Sequence, residues 1–366
     1  MNAPTAKICL IGESLASGGA ERAMALLTQF FAAKGIGVHT VIVVDEVDYD
    51  YSGELLNLGK LKNASNGPIN KLGRFNVLRK YLRKHKFDYI IDFRVRISFL
   101  QEFIISRLLY DAPTVYTVHS AMTDLYFPKQ KKLANLVYKS AYGVVAVSEA
   151  IATMIARDYD LRNVSVMHNP IDIASVAKAA NAFVPTDGKY VLAAGRMKDN
   201  VKQFDKLINA YSRSKLPENG IKLMILGDGA NLPTLKKLAM RSAFEEKIIF
   251  KGRVANPFPY MKNAEFFVLS SKREGLPTVI LESFASGKPV VSFDCMTGPA
   301  EMIDHENNGL LVDDQDFEKL TQAMNRMVTD NELYLRCLAG AKSGADAFAL
   351  EIIGKQWLEF LKIDVS

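Results

Sequence analysis

The chain has 366 residues, 49% apolar and 23% charged, with a formal net charge of +6. That is a globular composition with material for two cores, and no apolar run approaches the roughly 18 residues of a spanning helix. Cys9, Cys295 and Cys337 lie far apart without metal-ligand spacing. They read as reduced core thiols of a cytoplasmic protein and exclude a disulfide framework.

Short β-branched runs alternate with amphipathic helical stretches in two rounds. The first round predicts strands at 7–11, 38–44, 89–92, 114–118, 143–147 and 164–167. A strand starting at Lys7 leaves no room for a signal peptide. Behind it, Ser17-Gly18-Gly19-Ala20 precedes a helix beginning near Glu21. Gly18 and Gly19 permit close backbone approach, and a helix N-terminus favours an anion. The segment does not fit G-x-G-x-x-G, and Gly227-Asp228-Gly229 is too short to, so a dinucleotide fingerprint is absent.

The positive charge is concentrated in the first half. Residues 1–180 hold 22 Lys and Arg against 16 Asp and Glu, while the remainder holds 24 of each. Nine of the cations fall between Lys60 and Lys86 with no acid among them. From Lys71 to Lys86, Leu72, Phe75, Leu78 and Leu82 recur at helical spacing among Arg74, Arg79, Lys80, Arg83 and Lys84. Such a basic amphipathic helix suits an anionic membrane surface, or packs its apolar stripe into the core with solvated charges outside. Asp48-Tyr49-Asp50 and Asp158-Tyr159-Asp160 match Asp-x-Asp, a pattern so short that both read as solvated acids rather than a metal site. His119 ends the strand 114–118, where a histidine contacts a substrate oxygen. No recognition-helix motif or base-stacking platform points to nucleic acid.

The polar, alanine-rich stretch 171–188 reads as a linker between a domain at 1–170 and one at 189–349. The second round predicts strands at 190–193, 222–226, 248–250, 266–269, 289–293 and 309–312. Twelve strands exceed one ordinary sheet, so the expected fold is α/β with two Rossmann-like domains, parallel sheets and a ligand cleft between them. Helical segments follow to the end, and residues 350–366, with Trp357, Leu358, Phe360 and Leu361, are expected to dock back on the first domain.

Two constellations in the second round carry chemistry. Gly195-Arg196-Met197 follows the strand 190–193, with Lys202 six residues beyond Arg196. A guanidinium fork and an ammonium point charge near one loop make a diphosphate clamp. Glu274-Gly275-Leu276-Pro277-Thr278 then leads from a strand into a helix that carries Glu282, eight residues after Glu274. A strand end followed by a helix N-terminus is where α/β sheets receive phosphorylated ligands. Paired carboxylates also suit a glycosidase, but hydrolysis of a neutral sugar would need no phosphate clamp.

Taken with Val147-Ser148 and Asn169-Pro170-Ile171-Asp172, these segments resemble glycosyltransferase family 4, in the form that extends bacterial surface polysaccharides or lipid-linked oligosaccharides. The resemblance runs from about Lys7 to Val312. It implies a GT-B fold, retention of anomeric configuration, a nucleotide-sugar donor (UDP-linked by analogy) and no required metal or other cofactor. By position, Glu274 would hold donor-sugar hydroxyls and Glu282 the ribose, while Gly252-Arg253-Val254 would line the base pocket. Arg196, Lys202 and the backbone around Gly275, Leu276, Pro277 and Thr278 would stabilise the diphosphate. His119 would lie by the sugar, and Gly18–Gly19 near phosphate and acceptor. One departure is the Arg-to-Lys spacing, six steps against the family's usual five. The implied acceptor is a growing or lipid-linked glycan, and the implied location is the cytoplasm, at the inner face of the membrane. A sugar-nucleotide epimerase of the same fold and a silent partner subunit are the alternatives.

Overall fold

The structure, a computed structural model, describes residues 6–364. The chain forms two compact units, one running to Pro170 and resumed from Leu350, the other spanning Ile171–Ala349.

The first unit contains seven strands: β1 (Lys7–Gly12), β2 (Gly37–Ile42), β3 (Glu54–Asn57), β4 (Tyr89–Asp92), β5 (Thr114–Val118), β6 (Gly143–Ala146) and β7 (Val164–Val166). They lie in the order β3-β2-β1-β4-β5-β6-β7, every neighbour parallel. Strands β1, β5 and β6 are buried almost throughout, as a sheet covered by helices on both faces requires. Helix Gly19–Ala33 covers part of it with Ala23, Met24, Leu27, Phe30 and Phe31. The helix Leu350–Phe360 packs on that helix, bringing Ile353, Trp357 and Leu358 into the same core. Tyr142 secures its end by donating its hydroxyl to the Phe360 carbonyl at 2.9 Å.

The second unit holds β8 (Tyr190–Ala194), β9 (Lys222–Leu226), β10 (Ile248–Gly252), β11 (Phe267–Leu269), β12 (Val290–Asp294) and β13 (Gly309–Asp313). These lie in the order β10-β9-β8-β11-β12-β13, again all parallel. Each sheet therefore reverses its strand order once, between β1 and β4 and between β8 and β11. A parallel sheet leaves a crevice at such a reversal, outside the strand carboxyl ends.

The structure adds to the sequence reading at three points. The edge strand β3 was not foreseen because Glu54-Leu55-Leu56-Asn57 has no fully buried residue and no β-branched run to reveal it. The stretch 171–188 is not a plain linker. It carries the helix Ile173–Ala179, capped by Asp172 accepting from the Ser175 amide at 2.9 Å and packed on helices Phe258–Asn263 and Thr278–Ala285. The basic helix runs Pro68–His85, and only Leu78 and Leu82 of the expected stripe are buried. Its first half is not covered, leaving Ile69 and Leu72 87% and 66% exposed. Among the described residues no helix is long and apolar enough to cross a membrane. All three cysteines are buried and free.

Candidate functional site

In the second unit, the loops after β8 and β11 flank the point where the strand order reverses. The Lys202 ammonium meets the Glu274 carboxylate at 2.6 Å, with side chains only 18% and 13% exposed. Backbone stitches the two loops together: the Lys272 amide donates to the Val201 carbonyl at 2.8 Å, and the Ser270 hydroxyl to the Lys202 carbonyl at 2.7 Å. Gly195, at φ +155°, makes room for this lysine, since a Cβ there would lie 2.8 Å from Lys202 Cε.

The same carboxyl edge continues sideways through short backbone bonds. The Gly195 amide donates to Leu226 at 3.0 Å, Met197 to Asp228 at 2.9 Å, and Gly227 to Gly252 at 2.8 Å. Gly252 ends β10, and Val254 follows half-buried. Lys202 and Glu274 thus share one rim with the 195–197, 227–229 and 252–254 loops. Arg196 stands exposed on that rim.

Glu274 opens the turn into helix Thr278–Ala285, with Pro277 at its N-cap. Pro277 lacks an N–H and the Ile280 amide donates to the Pro277 carbonyl at 2.9 Å, which leaves the earlier first-turn amides, Thr278 and Val279, as the donors that can face an anion. Thr297 fixes the turn by donating its hydroxyl to the Glu274 carbonyl at 2.5 Å. Gly298, at φ +95°, packs against it so closely that a Cβ would lie 2.7 Å from the Gly275 carbonyl. Glu282 is buried on the helix. Cys295 lies within the field of Glu274, and burial foremost pushes its thiol up to about 12, so it is a neutral wall and not a nucleophile.

In the first unit, the reversal lies between β1 and β4. Gly18 is extended and Gly19 begins the helix, while the left-handed residue of this turn is Ser17, at φ +60°. His119 follows β5. Its ring stacks on Phe93 with centroids 5.4 Å apart, and Nε2 lies 3.0 Å from the Thr117 hydroxyl. Nδ1 is sealed from solvent without a well-formed hydrogen bond. Burial, reinforced by the Arg96 charge, pushes the imidazole down to about 3, against a weak opposing pull from Asn169. It is therefore neutral at physiological pH.

The residues that shape this region escaped the sequence reading. Asp92, Arg94 and Arg96 are all buried just past or at the end of β4. Arg94 grips Asp92 with two bonds of 3.0 and 2.7 Å and reaches Glu102 at 3.0 Å, while the Tyr110 hydroxyl donates to Asp92 at 2.8 Å. Burial alone would raise the Asp92 carboxyl, but Arg94 and Arg96 outweigh it and hold it below the usual range. For Glu102 burial prevails over Arg94 and its carboxyl is raised.

Arg96 donates to the Arg94 and Thr117 carbonyls at 2.8 and 2.9 Å. Its guanidinium lies 5.2, 5.1 and 5.7 Å from the rings of Tyr116, Tyr126 and Tyr138. This network fixes the segment bearing Phe93, on which His119 rests. The signal was present in Asp92-Phe93-Arg94-Val95-Arg96: arginines directly after a buried strand, the reasoning applied to Arg196. Among the described residues neither Asp-x-Asp pair gathers a third ligand; Asp158 pairs with Arg157, Asp160 with Lys131, and Tyr159 stacks on Phe127.

Two family models cover most of the chain: Glycosyltransferase Family 4 matches residues 17–175 and Glycosyl transferases group 1 matches 188–330. The chain is a family 4 glycosyltransferase. Among its relatives, the N-acetylgalactosamine-N,N'-diacetylbacillosaminyl-diphospho-undecaprenol 4-alpha-N-acetylgalactosaminyltransferase of Campylobacter jejuni is 27% identical, covering 95% of this chain and 97% of that protein. The lipopolysaccharide core biosynthesis glycosyltransferase LpsE of Rhizobium meliloti is 36% identical over 50% of this chain and 52% of its own length. The solved structure of HepE from Anabaena in complex with UDP and glucose superposes with a TM-score of 0.78 at 20% identity, covering 98% and 99% of the two chains. The family's GT-B fold, two Rossmann-like halves, is thus the fold of this chain.

Proposed function

We propose that this glycosyltransferase moves a hexose or N-acetylhexosamine from a UDP-sugar to a growing surface polysaccharide or lipid-linked glycan. It acts with retention and without a metal ion. The observation that carries this reading is the Lys202–Glu274 contact on the rim of the second sheet, beside a helix N-terminus. A cation, a carboxylate and backbone donors converge there as a diphosphate joined to a sugar requires.

In this reading Arg196, Lys202 and the amides of the 275–278 turn take up the charge that grows on the departing diphosphate. Such preorganised donors supply most of the rate gain in transfers with an anionic leaving group. Glu274 receives donor-sugar hydroxyls once the diphosphate has drawn Lys202 away, and Glu282 holds the ribose. Gly252 and Val254 flank the base. In the first unit His119, with Nε2 on Thr117 and Nδ1 sealed, stands beside the sugar as a neutral ring that adds no charge, and Gly18–Gly19 lies against the acceptor phosphate. The undecaprenol-linked acceptor named for the Campylobacter relative and the UDP and glucose bound in HepE support the substrate classes.

The basic helix suits such an acceptor. Ile69 and Leu72 are exposed on Pro68–His85, as are Arg79, Lys80, Arg83 and Lys84. We assign this face to the anionic cytoplasmic surface of the membrane, where apolar insertion and Lys/Arg attraction add.

The test is a panel of UDP-, GDP- and ADP-sugars with polyprenyl-diphosphate glycan acceptors, read by nucleotide release and by the anomeric configuration of the product. UDP release with a retained anomer is expected. An inverted product, or turnover with only a purine nucleotide, overturns the corresponding part of the assignment.

A further inference from the structure

A second cluster lies in the first unit at the strand-beginning end of the sheet, away from the loops that follow β1, β4 and β5. We infer that His39, Glu54 and His85 bind one divalent transition ion of the zinc type, which acts as a structural clamp and takes no part in transfer.

The three ligands come from three elements. His39 is the third residue of β2 and pairs in register with Glu54, the first residue of β3. His85 is the last residue of helix Pro68–His85, which Lys86 terminates at φ +51°. One ligand atom from each residue lies within 4.8 Å of the others. His39 Nδ1 is 3.6 Å from a Glu54 carboxylate oxygen, and the two imidazole centroids are 4.6 Å apart. The Tyr81 hydroxyl, 2.7 Å from the same Nδ1, can complete the set or bond to a metal-held water. Phe87 walls the site, its ring 4.9 Å from that of His39.

Two imidazoles and one carboxylate are a donor set for Zn²⁺ rather than for Mg²⁺ or Ca²⁺, which take oxygen. A tetrahedral ion with bonds of about 2.0–2.1 Å needs ligand atoms about 3.3 Å apart. The widest of these separations must therefore contract by up to about 1.5 Å. The geometry allows it: His39 is buried and fixed, whereas Glu54 is exposed and His85 half-buried, so both can rotate inward.

The ion would also bind together pieces that otherwise hold weakly. Edge strand β3 has no fully buried residue, and the basic helix buries only Leu78 and Leu82. A bridge among β2, β3 and the end of that helix fixes all three, because metal-binding free energy adds to the folded state.

The experiment uses the full chain, stripped by a chelator and titrated with Zn²⁺ alone, then with Co²⁺ as a spectroscopic probe. Wild type is expected to bind one equivalent at micromolar affinity or tighter, to gain thermal stability, and to give the visible absorption of four-coordinate Co²⁺. His85→Ala and Glu54→Gln should each weaken binding at least about 10-fold and abolish that absorption. Metal-free melting temperatures matching metal-free wild type would exclude a folding defect, and exposed Glu54 makes Glu54→Gln the variant that decides if His85→Ala, which loses ring contacts to Tyr81 and Phe87, melts lower. Glycosyl transfer by the stripped protein should be unchanged, so this inference and the catalytic reading fail separately. Affinity weaker than about 0.1 mM, or a loss smaller than about 10-fold in either variant, overturns the site.

Discussion

The Lys202–Glu274 contact makes a prediction in which two neighbouring substitutions have opposite effects. At 2.6 Å, and with both side chains more than four-fifths buried, it is a charge-assisted hydrogen bond rather than a screened surface pair. Bonds to charged groups contribute about 1.5–3 kcal/mol. If Lys202 passes from Glu274 to the diphosphate, Lys202→Met should weaken UDP binding by roughly 10–100-fold, at 1.4 kcal/mol per decade. UDP lacks the transferred sugar, so Glu274→Ala removes nothing that UDP touches and releases the lysine. Its UDP affinity should be unchanged or up to about 10-fold tighter. For the complete donor, however, Glu274→Ala should lower kcat/KM by on the order of 10²-fold. Isothermal titration with UDP and initial rates with the UDP-sugar measure the two quantities, with melting curves to check folding. Equal losses of UDP affinity in both variants would refute the reasoning, because a pair that only braces the loops damages the pocket whichever partner is removed.

Three other outcomes follow from the first unit. His119 binds its proton at about 3 when folded, against about 6.5 when unfolded, so the unfolded chain takes up the extra proton between those values. Its contribution is intact above about pH 6.5 and drains as pH falls toward 3, at up to about 1.4 kcal/mol per pH unit; urea titrations at stepped pH should show His119→Gln flattening this slope. Arg94→Met strands Asp92 and Glu102 without their cation and should cost about 3–5 kcal/mol in chemical denaturation, with part of the loss recovered in Asp92→Asn/Arg94→Met; a loss below about 1 kcal/mol contradicts the network's role. Reversing Arg79, Lys80, Arg83 and Lys84 to Glu should cut sedimentation with anionic vesicles, most strongly at low salt. Unchanged vesicle binding would return the helix to an ordinary solvated surface.

The sheet strands were legible where burial leaves a continuous apolar record, as in β1, β5 and β8. β3 was not, because an edge strand is held by β2's backbone and need not be hydrophobic. The placing of Lys202, Glu274 and the glycines around them at strand ends was legible because close backbone approach demands particular residue types there. Arg94 and Arg96 carried the same signal as Arg196, but nothing local told a buried cation from one facing a ligand. That distinction depends on Asp92, Glu102 and three tyrosines gathered from separate elements.

By itself, the sequence determined the two rounds of parallel strands, the residues at their carboxyl ends and the family, since side-chain period and loop chemistry are local properties. Only tertiary structure decided that Lys202 faces Glu274, that His119 is neutral, that half of the basic helix is uncovered, and that His39, Glu54 and His85 converge. Each of these depends on distance and dielectric between residues far apart in the chain, and only the packed fold sets those.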